Sequence, residues 1–502
     1  KQAIRDAARV LGLPFSSGDR VAKLMPPMIL GNTATISECL SLDEENTSGY
    51  SKEFYSASEE LRKQYKNDEE AKQIIDIALG LEGLRRQDGI HAAAIVISPD
   101  TITKFLPIQQ KGSNAEIVTQ YEMHTVEQLG LLKMDFLGLR NLSIVDRTLE
   151  LIGSESLDID NLKLDDEKTF KLFAEGKMTG VFQLESRVAQ STSRSLKPKR
   201  FEDIVALVAL IRPGPLGAGM HNEFADRANN RKEIEYLHND LESILNETYG
   251  VILYQEQVMQ IAEKIAGFNL QEADNLRVAM GKKIPKVMEE QRKKFTDGAV
   301  SNNYSEQFAI ELFDQIAYFA GYGFNKSHSV PYALLAYQTA YLKANYPAEY
   351  IAACLTAVKR DKDRTAIFLS EARDMGVKVS TPDVNLSSSD FTVNDNEILF
   401  GLSAVRNVGD ITADKIVFER ESNGDFKSIE EFLSRIDSRS LNKRGVEALI
   451  QGGGLDKFGH TRKGMFDAVI DLIENAKELK AKKENNQVSL FPIEEANSTS
   501  IN

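Results

Sequence analysis

A mostly helical α+β fold is what the sequence predicts, on three observations. Helical periodicity fills roughly the first 90 residues and returns from about 141 to about 360. Two short apolar runs with the character of strands lie in the gap between them. Pro and Gly then cut the helical stretches into pieces, at Arg212-Pro213-Gly214-Pro215 and at Gly321-Tyr322-Gly323. At 502 residues the chain has room for about three or four domains.

Taken in order, the chain opens on Lys1-Gln2-Ala3-Ile4-Arg5, with no initiator Met and no apolar signal core, so a cut from a longer protein is expected. Glu59 to Leu81 is rich in Glu and Lys and periodic, hence helical. His91 to Ser98 is a short apolar run ending at Pro99, read as a buried strand. Gly130 to Gly138 is a second strand candidate. Alternation along it sets Lys133 and Asp135 on one face and sends Met134 and Phe136 the other way, into a core. Tyr332 to Asn345 reads as an amphipathic helix, with Pro331 in its first turn and Tyr346-Pro347 at its end. Residues from about 365 to 400 look mixed, with short strands, and about 400 to 460 holds two Gly-containing turns between short helices. Lys477 to Asn486 is highly charged, and Gln487 to Asn502 reads as disordered apart from one motif.

Composition bounds the function. Hydrophobic residues at 42% and charged residues at 27% suit a soluble globular chain, and no apolar run approaches the ~18 residues of a membrane span. Cys39 and Cys354 stand far apart without Cys or His neighbours at metal spacing, which argues against a disulfide framework or zinc site and for a reducing cytoplasm. A net charge of −14 argues against nucleic acid as a partner, but its distribution does not. Arg277, Lys282, Lys283, Lys286, Arg292, Lys293 and Lys294 face only Glu289 and Glu290 within 277–294. A second basic stretch runs over 194–212, with Arg194, Lys197, Lys199, Arg200 and Arg212. Each could equally be a solvated helix face.

A cation and a carboxylate side by side on a strand suit metal-assisted phosphoryl chemistry: Asp135 as a hard oxygen ligand, Lys133 toward phosphate. The plainer alternative is a Lys–Asp pair facing water. One carboxylate cannot hold two Mg²⁺ ions, and Asp158-Ile159-Asp160 lacks the strand context to help.

Several blocks together resemble the bacterial DNA polymerase III α-subunit family. They are Leu132-Lys133-Met134-Asp135-Phe136-Leu137-Gly138-Leu139-Arg140, Gly180-Val181-Phe182-Gln183-Leu184-Glu185-Ser186, Leu210 to Leu216, Glu247 to Met259, Ala279-Met280-Gly281-Lys282-Lys283 and Gly323 to Ser329. They fall in the family's order. Ala94, Val188-Ala189 and Val278 depart from its pattern, and the last weakens any phosphate role for position 278. The resemblance implies an internal piece of such a chain: the end of one palm segment at 1–10, a helical thumb at 11–88, a second palm segment at 89–140 similar to polymerase β, fingers at 141–395, a helix-hairpin-helix and clamp-binding domain at 396–486, and a tail at 487–502. It implies primer extension from dNTPs with two Mg²⁺ ions in the whole enzyme. Asp135 would be the third catalytic, metal-ligating aspartate, with Lys133 beside it; the other two would lie upstream, leaving the piece inactive alone. A DNA- and clamp-binding module, or an error-prone relative, are the alternatives.

Arg277, Lys282 and Lys283 are the first candidates for triphosphate contact, by local charge and by the resemblance, with Gly281 allowing close approach. Asn325-Lys326-Ser327-His328 precedes a helix expected near Ser329, so Lys326 and His328 could meet phosphate or template. Tyr332 and Tyr337 suit core packing better than base stacking. Gly401 to Asp410 resembles a helix-hairpin-helix loop: Gly409 exposes backbone N–H donors, and Arg406 and Lys415 add charge. Leu441 to Gly459 is a weaker second copy. Gln487-Val488-Ser489-Leu490-Phe491-Pro492 resembles the short sliding-clamp motif, with Gln487 as polar anchor and Leu490 and Phe491 as apolar ones. Expected partners are primer-template DNA, dNTPs, the clamp and other holoenzyme subunits, with no membrane.

Overall fold

Asp68 shows how local chemistry cuts the chain into elements. The Glu59–Leu81 periodicity is two helices, Glu59–Asn67 and Glu69–Leu81. Asp68 leaves the helical region between them, and its side chain accepts the Ala71 amide at 3.1 Å, so one residue ends the first helix and caps the second. A computed structural model describes residues 1–27, 33–41, 51–84, 88–112, 115–153, 157–282, 285–320, 323–436 and 440–484. It divides the chain into two compact units, Lys1–Gly138 and Leu139–Asn502.

In the first unit, helices Gln2–Val10, Phe15–Lys23 and Glu69–Leu81 bury Ile4, Ala7, Val21, Ile74, Ile75 and Ala78 in one core. Gly18 lets the first two helices close: a Cβ there would lie 2.7 Å from that of Ala8. Beyond the helices, strand Ala94–Ile97 pairs antiparallel with Leu132–Asp135, with Ala94 opposite Asp135 and Val96 opposite Lys133. Val96 packs on a small core of Leu106, Val126 and Leu131.

The opposite face of this strand pair corrects the sequence reading. Met134 and Phe136 do not enter a core; they are 42% and 58% exposed, and Ile95 and Ile97 beside them are bare as well. The alternation itself holds, but no described element of this unit covers that face, so the His91–Ser98 run is not a buried strand.

In the second unit, helix Lys326–Asn345 is the axis. Ala333, Ala336, Tyr337 and Ala340 enter a core built on helices Arg187–Leu196 and Phe201–Leu210. Leu335 and Leu342 enter another, built on Pro347–Val358. It is therefore buried on two sides and not simply amphipathic. It also starts earlier than expected. Asn325 is the cap, accepting the His328 amide at 2.8 Å, and Pro331 lies inside the helix, not in its first turn. The bond Pro331 forgoes is to the Ser327 carbonyl, at the exposed end. A third core joins Gln255–Ala266 to Glu306–Ala320, and a fourth holds the helices from Asp410 onward. A three-stranded sheet runs in the order Lys378–Val379, Glu397–Leu399, Thr392–Asn394.

Cys39 and Cys354 are free, buried thiols, and burial pushes Cys354 up to about 12. Among the described residues no helix is long and apolar enough to cross a membrane.

Candidate functional site

Period-two alternation places Lys133 and Asp135 together at the end of their strand. Lys133 Nζ donates to both Asp135 oxygens, at 2.8 and 2.9 Å. The lysine side chain is 16% exposed and the aspartate 43%, so the cation is sheltered and the carboxylate open. The Lys133 hydrogen bond holds the Asp135 carboxyl below its usual range, helped by the charges of Lys133 and His91. His91, not singled out from the sequence, accepts the amides of Ala93 and Ala94 on Nδ1 at 3.2 and 3.0 Å and so shapes the start of the partner strand.

These groups do not fit a divalent metal centre by themselves. Both Asp135 oxygens are engaged by an ammonium, and among the described residues no group of three or more His, Cys, Asp or Glu side chains is placed to hold a metal. Asp158 and Asp160 offer nothing more: Asp158 is spent on the Asp160 amide and on Asn161.

In the second unit the predicted cations are scattered and mostly engaged. Arg277 lies on helix Leu270–Lys282 and pairs with Asp274 at 2.8 Å. Lys282 ends that helix, and Lys283 lies outside the described residues. Of the same basic stretch, Arg292 pairs with Asp314 and Lys294 with Glu272. Among the described residues no hydrogen bond, ion pair or ring contact joins Arg277 to Lys326 or His328.

The Lys326 region differs most from expectation. The amide of Lys326 donates to both oxygens of Glu256, at 3.0 and 2.9 Å, so the anion at this helix N-terminus is a carboxylate of the chain itself. The Lys326 ammonium is held by Glu247 at 2.6 Å. His328 is exposed, its ring 4.4 Å from Tyr332 and 5.5 Å from Phe324. Arg212 covers the Phe324 ring at 4.2 Å. Tyr337 is a core residue, accepting the Asp166 amide and donating to the Lys163 carbonyl. Glu247 and Glu256 were missed because a carboxylate in a helical block carries no local sign of the cation it will meet.

The two glycine hairpins meet. A Cβ on Gly445 would lie 3.2 Å from the Asn407 carbonyl oxygen. Gly409 precedes helix Asp410–Asn423 with φ −81°, and a Cβ there would meet nothing within 4 Å. Open space beside bare amides is what a phosphate contact needs. Asp410, on the first turn, is paired with two cations: hydrogen bonds from Lys359 and Arg360 hold its carboxyl down to about 2. Arg406 and Arg444 are exposed and line one cavity of about 870 Å³ between the hairpins and the small sheet. Lys415 instead bonds Ser440 at 2.7 Å. Gln487, Leu490 and Phe491 lie outside the described residues.

Three stretches of the chain match family models of known proteins. Residues 1–138 match the family model for the bacterial DNA polymerase III alpha NTPase domain, 141–303 that for the bacterial DNA polymerase III alpha subunit finger domain, and 376–465 a helix-hairpin-helix motif. The DNA polymerase III subunit alpha of Thermus aquaticus is 42% identical over 497 residues, 98% of this chain and 39% of the relative. That of Escherichia coli K12 is 40% identical over 506 residues, and that of Mycobacterium tuberculosis H37Rv 40% over 500, each covering 98% of this chain and 42% of the relative. The chain thus spans about two fifths of the length of the curated relatives it matches. Matched stretches of this kind, in this order, are those of a bacterial DNA polymerase. The chain belongs to the DNA polymerase III α-subunit family.

Proposed function

We propose that the chain is part of a replicative DNA polymerase that extends a primer 3′-hydroxyl with dNTPs on a DNA template, releasing pyrophosphate. The observation that carries this is the open Asp135 carboxylate, oriented by a sheltered Lys133, within a stretch that matches a polymerase III α domain. On this reading residues 89–140 are part of a polymerase-β-like palm, 11–88 a thumb and 141–395 fingers. Asp135 supplies one ligand to a divalent-metal centre, magnesium in this reading, whose remaining carboxylates lie outside the described residues. Arg277, Lys282, Lys283, Lys326 and His328 serve the triphosphate or template, and Arg406, Gly409 and Lys415 the duplex backbone. The tail at Gln487, Leu490 and Phe491 engages a sliding clamp. The compartment is the cytoplasm.

The test is Asp135→Asn in the full-length polymerase. Extension should fall at least ~100-fold, about 3 kcal/mol of lost transition-state stabilisation, with DNA affinity retained. Extension at the normal rate refutes the assignment. The 502-residue chain alone should bind duplex DNA yet extend no primer; the meeting of the two hairpins supports its binding role.

A further inference from the structure

The Lys326 ammonium borders a cavity of about 620 Å³ lined by Arg200, Glu202, Asn246, Glu247 and Lys326. The two cations there are matched by two carboxylates, so the cavity carries no net positive charge with which to draw in a polyphosphate. Arg200 is committed: its Nε bonds Asp203 at 3.2 Å and its Nη2 the Glu247 carbonyl at 2.7 Å. The Lys326 ammonium is held by both Glu247 carboxylate oxygens, at 2.6 and 2.7 Å, with the Tyr254 ring 5.6 Å away. The two kinds of glutamate contact differ. Glu256 grips backbone amides, and the segment around it is tied down again where the Gln255 amide meets the Phe324 carbonyl at 2.9 Å and the Phe324 amide the Leu253 carbonyl at 3.2 Å. Glu247 grips only a flexible side-chain tip. Both partners of that pair are about one-third exposed, at 37% and 32%, so the bond is open to exchange.

We infer that Glu247 is a positioning residue that holds Lys326 at the cavity mouth and competes with phosphate for it. A polyphosphate entering the cavity takes the place of the Glu247 carboxylate on Nζ, while Glu256 keeps the helix start in place. Glu247 thereby weakens anion binding and sets how much charge a ligand must bring. This rests on the reading of Lys326 as a phosphate contact.

The experiment is calorimetric titration of inorganic tripolyphosphate into the 502-residue chain, as wild type, Lys326→Met, Glu247→Gln and Glu247→Asp, with thermal melting to check that each is folded. Lys326→Met should bind at least about tenfold more weakly. Glu247→Gln should bind about three- to fivefold more tightly, the scale of one partly exposed ion pair, and Glu247→Asp should return to wild type. A merely structural glutamate would not tighten binding when neutralised. Weak binding by Lys326→Met with unchanged or weaker binding by Glu247→Gln overturns the competition and leaves the Lys326 reading standing. Unchanged binding by Lys326→Met, or no binding by any of the four, overturns both.

Discussion

Replacing Lys343 with Met should unfasten the Gly180–Ser186 block. Lys343 lies on the central helix with its side chain 1% exposed, and its ammonium donates to the Lys177 carbonyl at 2.7 Å, the Thr179 carbonyl at 2.8 Å and Glu371 at 2.6 Å. Tyr350 donates to the Gly180 carbonyl at 2.7 Å and the Thr339 hydroxyl accepts the Phe182 amide at 3.1 Å, so one buried polar set holds this turn. Loss of the ammonium strands a largely buried carboxylate, which costs about 3–5 kcal/mol when one partner of such a pair is removed. Two orphaned carbonyls add about 1 kcal/mol or more each. Adding Glu371→Leu removes the stranded charge and should recover at least ~1.5 kcal/mol, a positive coupling for residues in contact. A chain of two compact units need not unfold in one step, so the readout is hydrogen exchange on peptides spanning 177–186, with urea melts alongside. Burial lowers the Lys343 pKa from 10.5 against the pull of Glu371. Between that lowered value and 10.5 the unfolded chain holds the extra proton, so wild type should gain stability over Lys343→Met as pH rises through this window. Exchange in 177–186 unchanged in Lys343→Met, or single and double variants that add without coupling, would refute the reasoning.

Other expectations are independent. Lys133→Met should let the Asp135 carboxyl titrate nearer its ordinary value, since the Lys133 hydrogen bond is the main cause of its lowering; carboxyl NMR across pH 2–6 reads the midpoint, and the ion-pair contribution of wild type is the one lost as pH falls through it. Gly409→Ala should cost under ~0.5 kcal/mol of stability, because its φ of −81° and open surroundings accept a methyl group, yet weaken duplex binding severalfold by blocking the amides; unchanged DNA affinity counts against the hairpin contact. Arg406→Glu should weaken duplex binding on all sequences alike and flatten its salt dependence by about one unit of slope, read by anisotropy between 50 and 200 mM salt. Leu490→Ala with Phe491→Ala in the full-length protein should abolish clamp pull-down and spare extension over short templates.

Much of the element order is legible in the residues, because it depends on short-range chemistry. Asp68 and Asn325 cap helices through their own side chains, alternation orders Lys133 with Asp135, and Gly409 and Gly445 mark the hairpins. The Asn325 cap could have been read in advance; Pro331 drew the helix start too far along, because proline favours first turns without being confined to them. The family, too, was legible, through long blocks in a fixed order.

What neighbours each residue meets was decided by tertiary structure alone. Met134 and Phe136 carry the pattern of core residues, but burial needs a covering element and no described part of their unit supplies one. Lys326 carries the charge of a phosphate ligand, but its partner is Glu247, 79 residues away in sequence. Periodicity and capping act over a few bonds, so they are written locally. Ion pairing and burial depend on which distant segments the fold brings within a few ångströms, and a one-dimensional pattern does not hold that distance.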